Sequence, residues 1–242
     1  MRIFIFLFVT TSFTIGFSSS YGQDYYSQMD RFLEKYHNEN GLIDYVDIGK
    51  NDATLDSLYT AIGAMNLADR DESFLKAFYI NAYNTIVIKQ VVVFYPIEKP
   101  FDVTGFFDNI KNTVSGKEYT LDELEKTIIT PRFKDPRIHF ALVCAAKGCP
   151  PIEEKAFRPE TVDEELDRIT RQVLNDPYFV RVKGDAVYLT KVFDWYGDEF
   201  KEGGSIISYI NQYRDEPIPE KSKIKFNEYD WMLNDYQSSA EE

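Results

Sequence analysis

Cysteine and histidine are both scarce, with two of each in 242 residues. Two cysteines allow at most one disulfide. Positive charge is also in short supply: 27 Lys and Arg stand against 40 Asp and Glu, a net charge of −13. That balance argues against nucleic acid and anionic membrane surfaces as partners. No linker rich in Pro, Gly or Ser interrupts the chain and no internal repeat is present, which favours one domain. Beyond the N-terminus there is no apolar run long enough to cross a bilayer. The best stretch, Thr85 to Phe94, contains Lys89 and Gln90, short of the roughly 20 apolar residues a span needs.

The N-terminus reads as a secretory leader. Arg2 precedes an apolar run from Ile3 to Val9, followed by a small, Ser-rich segment in which Ser20 and Gly22 suit a cleavage site. The expectation is a signal peptide over 1–22 and a domain over 23–242, soluble and without membrane insertion after cleavage. Its destination is then periplasmic or secreted. No cysteine follows the apolar run, so a lipid anchor has no acceptor thiol.

Aromatic residues are plentiful, at 16%, within 44% hydrophobic content, ample for a sizeable core. Met29, Phe32, Leu33 and Tyr36 share one helical face over Asp24 to Asn38, and a second helix is expected from about Ala53 to Met65 after the β-branched and aromatic stretch GLIDYVDI. The segment from Glu72 to Pro96 is apolar nearly all round, the pattern of a buried helix. Asn81 sits within it, and an unpaired buried amide would cost about 1 to 3 kcal/mol, so Asn81 requires partners, structural or catalytic.

Two short strands are expected around Ser115-Gly116. Thr120 and Glu123 form a capping-box pattern for a helix that Pro131 should stop. RIHFALVCAA reads as a compact strand feeding the loop KGCPPIEEKAF. Thr161 opens a helix with Leu166, Ile169 and Val173 on one face, and a hairpin turns at Gly184-Asp185. A short helix over Ser205 to Tyr213 and a tail complete the chain. The fold class is α+β: mostly antiparallel short strands and hairpins packed with a long buried central helix.

GLIDYVDI, KAFYINAYN, the strand pair with its TLDELEKTII helix, DPRIHFALVCAAKGCPPI, KVFDWYGDEF and YDWMLN together resemble, in that order, the family catalogued as domain of unknown function 547. The resemblance is strongest from about Phe74 to Phe200. That family occurs in bacterial exported proteins and in plants. The resemblance implies a shared fold and assigns no substrate. Members often carry a histidine directly after the glutamate matching Glu125, where this chain has Lys126.

Both cysteines and His139 fall within HFALVCAAKGCPP. Strand alternation would send His139 to one face and Cys144 to the other, so Cys149, brought round by the loop beside Lys147, is the expected nucleophile. His139 would serve it, with Asn81 or Asp194 orienting the ring, the general thiol-hydrolase arrangement acting on peptide or amide bonds. Trp195, Tyr196 and Lys147 are candidate binding residues. Asp198 and Glu199 read as helix-start acids that favour the helix dipole. The opposite faces disfavour a shared zinc ion, so neither metal nor cofactor is expected. His37, in a polar run, is expected to be solvated. The alternative is a non-catalytic binding or scaffold domain with a Cys144–Cys149 disulfide, as an oxidising location favours. Its ligand would be a small molecule, peptide or glycan.

Overall fold

The computed structural model describes residues 18–38, 40–51 and 53–236. The expected leader lies outside the described residues as far as position 17, and residues 18–22 form the first turns of α1 (Ser18–Tyr36). α2 (Tyr45–Asn51) and α3 (Ala53–Ala64) follow. Within GLIDYVDI, Ile43 bridges His37 and Asp235. From Tyr45 onward the chain is helical, and Tyr45 and Ile48 turn into the core.

At the centre lies α4 (Glu72–Phe94), started by Asp71, whose side chain accepts from the Phe74 N–H at 2.8 Å. By length and composition α4 could cross a membrane. Here most of its circumference is buried within the fold instead, against α2 and α3 on one side and α7 (Val162–Asn175) on another. Two buried amides on α4 replace missing secondary structure in the segments beside it. Asn81 donates to Phe157 O at 2.8 Å and accepts from Phe157 N–H at 3.0 Å. Asn84 does the same one turn later, donating to Ala141 O at 2.9 Å and accepting from Val143 N–H at 3.0 Å. Irregular chain can be buried here because its polar groups are satisfied.

β1 (Asn112–Val114) and β2 (Lys117–Tyr119) pair antiparallel around Ser115-Gly116, both at positive φ. The capping box at Thr120 and Glu123 is formed in both directions, at 3.0 and 2.8 Å. It opens α5 (Leu121–Glu123), which passes into a π-helical turn, Leu124–Ile129, and then α6 (Thr130–Phe133). Pro131 therefore does not stop the helix at once. It has no N–H to donate to the preceding turn, and the widened turn lies immediately before it. Such turns occur often at functional sites, and this one carries the buried Glu125.

RIHFALVCAA is not a strand. Asp135 caps the Arg137 N–H at 3.2 Å, Pro136 sets the first φ, and the chain forms a 3-10 turn over Pro136–Phe140 before an irregular run to Cys149. Further along, β3 (Val180–Lys183) and β4 (Ala186–Leu189) form the hairpin expected at Gly184-Asp185. The short helices α8 (Val192–Trp195), α9 (Gly197–Phe200) and α10 (Ile206–Asn211) follow. β5 (Lys223–Phe226) then adds to β4 in parallel. The architecture is α+β, with two small sheets beside the central helix.

The tail after β5 straps the cysteine loop. Asn234 N–H donates to Ala145 O at 3.0 Å, Lys147 N–H to Met232 O at 2.8 Å and Gly148 N–H to Asp230 O at 2.8 Å. A Cβ on Gly148 would lie 2.9 Å from both the N and the O of Asp230, so only glycine lets the strap lie this close.

Candidate functional site

A cleft of about 710 Å³ opens where four segments converge. The 3-10 turn supplies His139, the following loop Cys144 and Cys149, the π-helical turn Glu125 and Lys126, and α8 with its flank Trp195 and Tyr196. The strand alternation expected to separate His139 from Cys144 does not apply to a 3-10 turn and loop. His139, Cys144 and Cys149 all line this one cleft.

His139 is held on three sides, its side chain only 3% exposed. Its Nε2 lies 3.0 Å from Glu199 Oε2. Its Nδ1 faces Glu125 Oε1 at 3.8 Å, close enough for charge attraction but too long for a hydrogen bond. The ring stacks on Tyr196 with centroids 3.7 Å apart. The Tyr196 hydroxyl donates to Glu125 Oε1 at 2.6 Å, and the Tyr83 hydroxyl approaches Oε2 at 3.4 Å. Burial, then the negative charge of Glu125, holds both phenols above their ordinary range, so each keeps its proton and remains a donor.

Both thiols are free and half-buried. The Cys144 N–H donates to Cys149 Sγ at 3.2 Å, and Cys144 Sγ lies 3.0 Å from the Tyr229 hydroxyl. The Cys149 thiol is lowered from its ordinary range chiefly because the Cys144 side chain donates toward it. Burial opposes that shift, and the backbone N–H of Cys144 adds to it. Cys144 moves the opposite way: its neighbour Cys149 and its burial push it well up. The two sulfurs thus shift in opposite directions, Cys149 down and Cys144 up.

The mouth of the cleft is aromatic. Trp195, 46% exposed, packs against Tyr229 and Trp231 with centroids 4.8 and 5.7 Å away, and Phe101 meets Trp231 at 4.5 Å. Lys126 pairs with Asp122 at 2.6 Å.

Of the residues singled out from the sequence, Cys149, His139, Cys144, Trp195 and Tyr196 meet here. Asn81 does not: both faces of its amide are taken by Phe157. Asp194 pairs with Lys191 at 2.9 Å and does not touch His139. Lys147 contributes its backbone to the tail strap and lies outside the cleft lining. The carboxylates that hold His139 are Glu199 and Glu125. Glu199, read as a helix-start acid, does begin α9 but turns its side chain to the imidazole, while its neighbour Asp198 is left to Lys201 at 3.5 Å. The signal for Glu125 was a lone acid among the apolar residues of LEKTII. His37 is not fully solvated, since its Nε2 is buried without a hydrogen-bond partner and burial lowers its pKa. Among the described residues no cluster of three His, Cys, Asp or Glu side chains is arranged to hold a metal ion.

No curated protein and no solved structure matches the chain. Residues 67–174 match the family described as "Protein of unknown function, DUF547". That span runs from just before α4 to the end of α7 and includes Glu125, His139 and both cysteines. Over it, the chain belongs to the DUF547 family.

Proposed function

We propose that the cleft is the active site of a thiol-dependent hydrolase or acyl transferase acting on amide or peptide bonds. The observation that carries this reading is a cysteine with a lowered pKa, Cys149, in the same cleft as an imidazole fixed by a carboxylate. The Cys149 thiolate attacks a substrate carbonyl, and a thioester forms as the amine leaves. In this reading the substrate's leaving nitrogen takes its proton from the His139 ring, which lines the same cleft. Glu199 and the Tyr196 stack hold that ring in position. The reading places the enzyme outside the cytoplasm, on the strength of the apolar leader and the Ser-Gly cleavage pattern.

A second reading, a ligand-binding domain without turnover, is favoured by the exposed aromatic platform at the mouth, suited to a peptide or sugar face. Incubation with p-nitrophenyl acetate separates the two. The hydrolase reading expects a burst of p-nitrophenolate with an acetyl adduct on Cys149, lost in Cys149→Ser; with a p-nitroanilide, whose leaving amine must take up a proton, release is expected to slow by about 10²-fold or more in His139→Asn. Absence of both burst and adduct in folded protein excludes it.

A further inference from the structure

In acyl transfer Cys144 serves only to lower the pKa of Cys149, yet this second sulfur lines the same cleft. Cys149 Sγ is 3.2 Å from the backbone nitrogen of Cys144. With a standard N–Cα bond, that puts the sulfur within about 4.7 Å of the Cys144 Cα. The Cys144 sulfur lies 3.0 Å from the Tyr229 hydroxyl and its side chain also donates toward Cys149.

The loop between the sulfurs is shaped to keep them together. Ala145 takes a left-handed φ of 59°. Cys149 N–H closes a turn onto Ala146 O at 3.1 Å, and the tail strap fixes Ala145, Lys147 and Gly148 from outside.

We propose that Cys149 and Cys144 form a dithiol–disulfide couple that exchanges with substrate disulfides entering the aromatic mouth, Cys149 attacking and Cys144 resolving. In the first step the Cys149 thiolate attacks one sulfur of R–S–S–R′. The new bond is Cys149 S–S–R, the old S–S bond breaks, and R′–S⁻ leaves with the electron pair. In the second step the Cys144 sulfur attacks the Cys149 sulfur of the mixed disulfide. R–S leaves and takes up the proton that Cys144 releases. The two protein thiols end as one disulfide and the substrate has gained two electrons; a dithiol substrate drives the reverse. The asymmetry between the sulfurs sets the order, because the thiolate is the attacking species.

Intact-mass spectrometry with 2,2′-dipyridyl disulfide tests this on the full folded chain. Wild type is expected to release two thiopyridones, lose two hydrogens and retain no adduct. Cys144→Ser is expected to release one and keep a stable thiopyridyl adduct on Cys149. Cys149→Ser is expected to react at least about tenfold more slowly than wild type. Cys144→Ala is a second variant for the same readout should the serine disturb folding. Wild type that accumulates adducts on both sulfurs, or Cys149→Ser that reacts as fast as wild type, overturns the couple. His139 takes no part in the exchange. His139→Asn is therefore expected to leave it intact while slowing p-nitroanilide turnover by about 10²-fold or more, so failure of one reading does not masquerade as failure of the other.

Discussion

The Tyr196 hydroxyl donates to the Glu125 carboxylate at 2.6 Å while the face of the same ring lies against His139. One aromatic side chain therefore ties the buried acid of the π-helical turn to the imidazole. A carboxylate buried to this degree depends on its donors, since losing one leaves a lone pair without water to replace it.

Tyr196→Phe keeps the stack and removes only the hydroxyl. It is expected to lower stability by about 1 to 3 kcal/mol. In a double-mutant cycle with Glu125→Gln, denaturant unfolding should show a coupling of at least about 1 kcal/mol. Coupling near zero would mean that the 2.6 Å contact contributes nothing to holding Glu125 in place.

The strap over the cysteine loop makes a second expectation. Gly148→Ala drives a Cβ into the Asp230 backbone, 2.9 Å from both N and O, so the tail must lift. Overpacking of this kind costs about 1 to 3 kcal/mol, and limited proteolysis is expected to cut the tail after β5 faster than in wild type. Gly203→Ala is the control, since nothing lies within 4 Å of its added Cβ, and its effect should stay within about 0.5 kcal/mol. Equal protease resistance in the two variants would contradict the close approach of loop and tail.

Elements whose instructions are local were legible in the sequence. The buried helix α4 follows from apolar residues all round. The turns at Ser115-Gly116 and Gly184-Asp185 follow from residues that tolerate positive φ, and the Thr120 capping box from its spacing. The site itself was legible only in part, as it depends on long-range partners. RIHFALVCAA has the composition of a strand. It becomes a 3-10 turn and loop because Asp135 and Pro136 start a tight turn and Asn84, 57 and 59 positions away, takes over the main-chain bonds that a neighbouring strand would otherwise make. Asn81 is legible as a buried amide needing partners, and Asn84 obeys the same logic one turn later. Which carboxylate would reach His139 depended on the π-helical turn and on the direction of α9, neither of which has a period in the sequence.

The ion-pair network below His139 predicts how the fold responds to acid. Arg137 grips Asp135 through Nε at 2.9 Å and Nη2 at 2.7 Å and reaches Asp167 at 2.9 Å, while Lys76 meets Asp135 at 3.0 Å. Burial alone would push the Asp135 carboxyl up. The Arg137 guanidinium, then Lys76, more than offset it and hold the carboxyl below its ordinary range. A carboxyl with a depressed folded-state pKa adds stability that is complete above its unfolded pKa of about 3.9 and is lost as pH falls through the folded value. Asp135→Asn is therefore expected to lower stability at neutral pH and to flatten its decline on acidification, as followed by thermal melts from pH 7 downward. The two melting curves should converge at the acid end, because the wild-type carboxyl is protonated there and holds Arg137 no better than the amide. A constant gap between wild type and variant across that range would show that Asp135 stabilises the 3-10 turn by its shape and hydrogen bonds, not by its charge.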